Sequence, residues 1–160
     1  LDAKRDTVME EWWNRNLHLR RGGYDRILIP ADYSPTVADV EARGIHGEVF
    51  VQEILWLPFA EPRRFLDRLG DELLPALDEL GLDLLGAYRV AMRPRQVLTI
   101  VGAREWSWLA AYARAVGPDA RSGSAGSVST WAQYKAEVTQ HAEEMVLIPA
   151  RHGSLYRRPA

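Results

Sequence analysis

Ionisable side chains that interrupt apolar segments are the first candidates for chemistry in this sequence. Glu53 lies inside the apolar run 48–57, and Arg89 follows Tyr88 within a second apolar run. A buried charge is costly unless it is paired or solvated. The pattern therefore predicts either an ion pair between Glu53 and Arg89 across a sheet, or a catalytic site. In the catalytic interpretation a desolvated Glu53 acts as general base or ligand anchor, and Tyr88 acts as proton donor.

Three aromatic residues lie close together in the second half of the chain. Trp106, Trp108 and Tyr112 fall within one predicted helix. They either fill the core or line an apolar pocket in which an indole N–H or a phenol O–H orients a ligand. Together with Trp56 and Arg89 they form the predicted ligand-binding set, and the expected ligand is a hydrophobic or aromatic small molecule.

The histidines are too widely spaced to form a recognisable metal site. None of them lies four residues from another, the helical spacing that directs two ligands at one metal ion; they are His18, His46, His141 and His152. The sequence contains no phosphate-binding loop, dinucleotide fingerprint or nucleophile elbow. We therefore expect no metal and no cofactor. A haem with His46 or His141 as axial ligand is the alternative.

The composition limits the classes of function. A chain of 160 residues with 47% hydrophobic content can bury one sizeable core. A net charge of -2 disfavours nucleic acid as a partner, and no apolar run is long enough to span a bilayer. The N-terminal residues lack the apolar stretch of a signal peptide, and cysteine is absent. We expect a cytoplasmic protein without a membrane partner, and the abundance of Arg, Ala, Leu and Gly suggests a bacterial source.

The segment 12–31 is echoed by the segment 131–150. Both begin with tryptophan and end in Leu-Ile-Pro-Ala, and several further positions keep their apolar or acidic character. Such an echo predicts that one helix-and-strand unit occurs twice, as in a tandem repeat. The predicted organisation is a partial repeat or arm (1–35), a linker (36–47), a main domain (48–150) and a tail (151–160). The strand of the arm has no sheet of its own, so it should pair at an edge of the main domain or of a dimer mate.

The main domain shows an alternation of strand and helix patterns. Its predicted elements are a strand at 48–57, a helix at 61–80 that breaks or kinks at Pro75, strands at 84–92 and 96–102, a helix at 106–116, a second helix from 131 capped by Ser129 or Thr130, and a strand at 143–149. This order predicts an α+β, ferredoxin-like βαββαβ domain with helices on one face of an antiparallel sheet. The first strand is apolar on both faces, so we expect the uncovered face to form a homodimer, sheet against sheet.

The same pattern resembles a known group of proteins. The strand from Val49 to Leu57, the helix that leads to Leu74-Pro75, and the stretch 81–89 are similar to the dimeric α/β barrel superfamily, and most similar to its NIPSNAP branch. The helix and strand at 131–149 strengthen the resemblance, which covers about residues 48–150. It implies a ligand between the sheet and its helices in each subunit. It also implies tandem domains, but this sequence departs from that pattern, because only the last helix and strand of a leading domain are present, so that either the chain is a fragment or the arm docks elsewhere.

The resemblance implies a location for a ligand without implying one reaction, because the superfamily includes cofactor-free monooxygenases, haem enzymes, dehydratases and cyclases. We therefore expect a NIPSNAP-like small-molecule-binding protein. Its catalytic form would be a cofactor-independent monooxygenase, cyclase or isomerase of bacterial hydrophobic-metabolite metabolism, and whether the chain is an enzyme is left open. The alternative is a non-catalytic dimerisation or protein-interaction module.

Overall fold

The computed structural model describes residues 7–17, 25–116, 126–151, 153 and 155–156. Its strands are β1 (Leu28–Pro30), β2 (Val49–Trp56), β3 (Leu82–Val90), β4 (Gln96–Ala103) and β5 (His141–Leu147). Its helices are α1 (Thr7–Asn16), α2 (Val37–Ala42), α3 (Pro62–Arg68), a π-helical turn (Leu69–Leu73), α4 (Leu74–Glu79), α5 (Trp106–Val116) and α6 (Gly126–Val138). None of the described helices is long and apolar enough to span a membrane.

The strands form one antiparallel sheet in the order β1-β3-β4-β2-β5. The elements from β2 to β5 follow the βαββαβ order, which confirms the α+β, ferredoxin-like fold predicted from the sequence. β1 extends the sheet at the edge next to β3, where Ile29 is paired with Arg89. The sequence pattern predicts that the strand of the arm covers 24–30, whereas β1 covers Leu28–Pro30, and Tyr24 lies outside the described residues.

A β-bulge in β3 allows the arm to attach. The register of β3 against β4 shifts between Leu84 and Gly86, so both Leu84 and Ala87 face the helices. The Ala87 N–H donates to Ser34 Oγ at 3.0 Å, and the Ala87 carbonyl accepts from the Ala31 N–H at 2.9 Å. The segment after β1 thus satisfies backbone groups at an irregular strand, as buried polar groups require.

The main core lies between one face of the sheet and helices α3 to α6. Val49 and Leu55 of β2 point to this side, where they join Phe65 of α3 and Tyr112 of α5. Trp131 of α6 is 2% exposed, and its ring centroid lies 4.9 Å from that of Phe65. The apolar stripes predicted for these helices therefore meet on one face of the sheet.

The helix predicted at 61–80 is interrupted where Pro75 requires it. Proline has no N–H to donate to the preceding turn, and its ring crowds that turn. The chain widens into the π-helical turn just before Pro75, and the Leu74 N–H bonds to the Leu69 carbonyl, five residues earlier. Leu69, Leu73 and Leu77 stay buried on both sides of the interruption. The expected break is thus confirmed, and it takes the form of a π-turn.

The opposite face of the sheet carries a second apolar cluster. Ile54, Val90 and Leu98 are its buried members, and the partly buried residues Leu28, Trp56, Tyr88 and Ile100 pack against them. The alternation of side chains along β2 separates this cluster from the main core. Apolar residues therefore cover both faces of the central strands, as the sequence of β2 predicts.

Two boundaries near the C-terminal end of the domain differ from the sequence prediction. α6 begins at Gly126, so Ser129 and Thr130 lie inside the helix and are not its N-cap, and β5 runs from His141 to Leu147 and not from 143 to 149. Apart from its last residue, β5 is exposed. The sequence also predicts a loop at 121–127; residues 121–125 lie outside the described residues, as does the end of the tail, and residues 126 and 127 belong to α6.

Candidate functional site

Glu53 lies in the middle of β2 and faces the helices. In the sheet it is paired with Thr99 of β4 on one side and with Glu144 of β5 on the other. Glu53 is 6% exposed and Thr99 is 3% exposed, so both belong to the few buried polar residues of the described chain. A carboxyl group in this position must be stabilised by nearby donors.

Lys135 of α6 supplies the charge that Glu53 requires. Its ammonium group donates a short hydrogen bond to Glu53 Oε1, and Thr99 Oγ1 donates to Glu53 Oε2 at 3.3 Å. The predicted ion pair between Glu53 and Arg89 is therefore wrong. Arg89 is exposed on β3, near the edge of the sheet where β3 meets β1. Strand β4 lies between it and strand β2, which carries Glu53.

The phenol of Tyr112 in α5 interacts electrostatically with this cluster. Burial raises the pKa of its phenol well above the usual value, and the charges of Glu53 and then Glu144 raise it further. The phenol is thus held in its neutral, hydrogen-bearing form. On the helical side of the sheet the arrangement combines the buried carboxylate of Glu53, the exposed carboxylate of Glu144, one ammonium group and two hydroxyl groups.

The structure does not bring the predicted catalytic pair together. Tyr88 belongs to the apolar cluster on the opposite face of the sheet, and its ring lies over Gly86 of the same strand. Glu53 points to the helices, so the two side chains are separated by the sheet. Tyr88 therefore does not lie beside Glu53.

The other predicted ligand-binding residues are dispersed. Trp56 lies on the face opposite the helices, with its ring centroid 4.9 Å from that of His141. Trp106 is 50% exposed at the start of α5. Trp108 packs against Gly81, where an added Cβ would lie 2.9 Å from the indole ring. Of the predicted set, only Tyr112 is associated with the Glu53 cluster.

Lys135 is the functional candidate that the sequence analysis missed. It follows Trp131 by one helical turn and precedes Val138 by another, and both of these residues pack against the main core. A lysine between two core positions of a helix is a signal that a buried partner exists. The partner itself could not be identified, because Glu53 and Lys135 are 82 residues apart in the sequence.

The described residues contain no group of three or more His, Asp or Glu side chains that could hold a metal ion. His46 Nδ1 lies 2.6 Å from the Gly44 carbonyl oxygen, and His141 is exposed on the edge strand. His18 and His152 lie outside the described residues.

Comparison with solved structures places the fold among known proteins. The chain is similar to a NIPSNAP family protein from Agrobacterium tumefaciens strain C58, with 15% identity and a TM-score of 0.51 over 69% of this chain and 92% of the other. An uncharacterized NIPSNAP domain protein from Burkholderia xenovorans also matches at 15% identity and a TM-score of 0.51, over 66% of this chain and 97% of the other. The sequence matches no protein-family model and no curated protein. The comparison confirms a fold like that of NIPSNAP proteins, as the sequence pattern predicts.

Proposed function

We propose that this chain is a NIPSNAP-like protein that binds a hydrophobic or aromatic small molecule between its sheet and helices α5 and α6. The observation that carries the proposal is the buried ion pair between Glu53 and Lys135. A buried ion pair is often no more stabilising than apolar residues of the same volume, so its position in an apolar interface favours a functional role.

The polar groups of the cluster suit a ligand with one oxygen-containing group on an apolar body. In the proposed complex Lys135 donates to an anionic or carbonyl oxygen of the ligand. Tyr112 contributes a neutral phenol, because the pKa of its hydroxyl is raised by burial. In the catalytic form Glu53 accepts a proton from the ligand, and the ammonium group of Lys135 stabilises the anion that is left. This chemistry requires neither a metal ion nor haem.

We further propose that the protein is a homodimer formed through the second face of the sheet. Ile54 and Leu98 are buried, but Trp56, Tyr88 and Ile100 beside them remain partly exposed, and these three support the assembly because apolar surface on a protein commonly marks an interaction site. The echo of 131–150 in 12–31 supports a tandem arrangement in which the arm is the end of a preceding repeat.

The rival function is a non-catalytic assembly module, and one observation favours it. Glu53 already has a charged partner and a hydroxyl donor, and Tyr112 is packed into the main core. In that case the polar cluster has only a structural role, and the apolar face of the sheet is the functional surface.

Native mass spectrometry of the purified full chain separates the two proposals, because it reports subunit number and any retained ligand together. The small-molecule proposal predicts a retained or added apolar ligand in the wild type and its loss in Glu53→Gln, with the dimer unchanged. Glu48→Gln is the matched control, since Glu48 is exposed beside the same strand. A wild-type protein that takes up no apolar ligand, or equal binding by Glu53→Gln, would favour the assembly module.

The dimer is tested by light scattering after size-exclusion chromatography. Ile100→Glu places a charge in the second cluster and should convert the dimer to a monomer, whereas Val37→Glu changes a residue of α2 that is 77% exposed and should have no effect. Circular dichroism verifies that both variants are folded. A wild-type monomer, or a dimer that persists in Ile100→Glu, would contradict the sheet-to-sheet dimer.

A further inference from the structure

A cleft lies away from the Glu53 cluster, where the segment after β1 meets the helices. Its volume is about 560 Å³, which is within the usual range for small-molecule sites. One wall is formed by Asp32 and Tyr33 after β1 together with Arg89 of β3, and the other by α3 and the π-helical turn. The cleft therefore exists only because β1 and the residues after it lie against the ferredoxin-like domain.

Tyr33 contacts the opposite wall of this cleft in two ways. Its ring approaches Gly70 so closely that an added Cβ would lie 2.7 Å from it, and its hydroxyl donates to the Leu66 carbonyl at 2.7 Å. Because the single O–H of the phenol is used in that bond, the Tyr33 oxygen can only accept a hydrogen bond from a ligand. Gly70 lies within the π-turn, and such turns are frequent at functional sites.

Five charged side chains of both signs line the cleft. Arg63, Asp67 and Asp71 follow one another at four-residue spacing along the helical wall, and all three line the cleft. Asp32 and Arg89 lie on the other wall. Within the described part of the chain, none of the five makes an ion pair. Their charged groups are therefore available to a ligand.

We propose that this cleft binds a small zwitterionic molecule of the amino-acid class. Its ammonium group is bound by Asp67, Asp71 and the Tyr33 oxygen, all of which accept hydrogen bonds. Its carboxylate is bound by the guanidinium group of Arg63 or Arg89, and its apolar side chain contacts Leu66 and Leu74. This site is independent of the function proposed for Glu53.

The electrostatic environment of Tyr33 supports a cation in this position. Burial raises the pKa of the phenol, and the charges of Asp67 and Asp71 raise it further, so the potential at its oxygen is negative. Carboxylates outnumber guanidinium groups by three to two around the cleft, which disfavours a phosphate or another dianion. A bare metal ion is disfavoured too, because the described residues hold no group of three metal-ligating side chains.

Three related probes test the proposal by NMR titration of the full chain. L-Leucine carries both charges, N-acetyl-L-leucine lacks the ammonium group, and isoamylamine lacks the carboxylate. We expect L-leucine at millimolar concentration to shift the amide resonances of Tyr33 and Gly70. Removal of the ammonium group should weaken binding at least about tenfold, equivalent to about 1.4 kcal/mol. An absence of shifts with L-leucine, or equal binding of the N-acetyl compound, would refute the zwitterion site.

Variants then assign the two ends of the ligand. Asp67→Asn combined with Asp71→Asn should weaken the binding of L-leucine at least about tenfold. The control pair Asp78→Asn and Glu79→Gln, on the exposed side of α4, should leave the affinity for L-leucine unchanged. Arg63→Gln combined with Arg89→Gln should weaken the binding of L-leucine and leave the affinity for isoamylamine unchanged. Wild-type affinity in the aspartate variant would overturn the proposal. Glu53→Gln should bind L-leucine normally, so failure at one site is distinguishable from failure at the other.

Discussion

Lys135 donates a hydrogen bond to Glu53 and so connects the last helix of the domain to the middle of strand β2. The side chains are 13% and 9% exposed, respectively, so the pair is shielded from water. The desolvation of two charges offsets much of their attraction, and the loss of one partner costs more than the replacement of both. The pair therefore makes the stability of the domain depend on matched residues in two distant segments.

Replacement of Lys135 alone tests this dependence. Lys135→Met should lower the free energy of unfolding by about 3 to 5 kcal/mol, because Glu53 is left buried without its charged partner. The double variant Glu53→Leu with Lys135→Met should recover most of the loss. Urea denaturation measures both values. A single variant as stable as the wild type would mean that solvent or another donor replaces Lys135.

The two tryptophans that begin the echoed segments should differ sharply in their effect on stability. Trp131 is 2% exposed, whereas Trp12 is 55% exposed. Trp131→Ala should lower the free energy of unfolding by about 3 to 5 kcal/mol through cavity formation. Trp12→Ala should change it by no more than about 0.5 kcal/mol. Thermal and urea denaturation of the two variants provide the comparison, and a large loss from Trp12→Ala would reveal a buried environment for α1.

Two glycines in the left-handed backbone region provide a matched test of side-chain contact. Gly44 has a φ of 62° with no atom within 4 Å of an added Cβ, while Gly81 has a φ of 69° and faces the ring of Trp108 at 2.9 Å. Gly44→Ala should cost about 1 kcal/mol from backbone strain alone. Gly81→Ala should cost about 1 to 3 kcal/mol more, since Trp108 must move. Equal losses in urea denaturation would show that Trp108 adapts freely.

Stability should fall at alkaline pH because of Tyr112, which is buried, and Tyr33, which is partly buried. The pKa of Tyr33 and that of Tyr112 are raised above the usual 10.0 by burial and by nearby carboxylates. The unfolded chain therefore loses these protons first, so their stabilising effect is complete below pH 10 and declines as the pH rises above it. Urea denaturation between neutral pH and pH 11 should show the decline, and Tyr33→Phe and Tyr112→Phe should each reduce its slope. An unchanged slope in both variants would exclude these groups as the cause.

The regular elements of the fold were predictable because their signals are local. The apolar stripe from Phe65 to Leu77 predicts the helix. Pro75 predicts its interruption, because proline itself lacks the N–H that a continuous helix requires. The attachment of the arm was predictable only as an edge position. Its place beside β3 depends on the bulge near Gly86 and on the contact of Tyr33 with Gly70, which join distant parts of the chain.

One residue of the central ion pair, Glu53, was predictable from the sequence, and its partner Lys135 was not. Glu53 stands out because a charge in an apolar strand needs a partner. The sequence offers no means to rank Arg89 against Lys135 as that partner, because the choice depends on which strand lies beside which helix. The same reason explains why Tyr112, and not Tyr88, lies on the side of Glu53. Strand alternation places Tyr88 on the opposite face of the sheet, while α5 brings Tyr112 towards Glu53.

Strand β5 has a consequence for the behaviour of the protein at high concentration. Among the described strands it pairs with β2 alone, so its outer backbone groups can template another strand and lead to open-ended, fibre-like stacking. Glu143 and Glu144 occupy the middle of this strand and place one carboxylate on each face. A second β5 strand that approached would bring like charges together. The two exposed glutamates therefore oppose edge-to-edge pairing between copies of the protein, although neither belongs to its core.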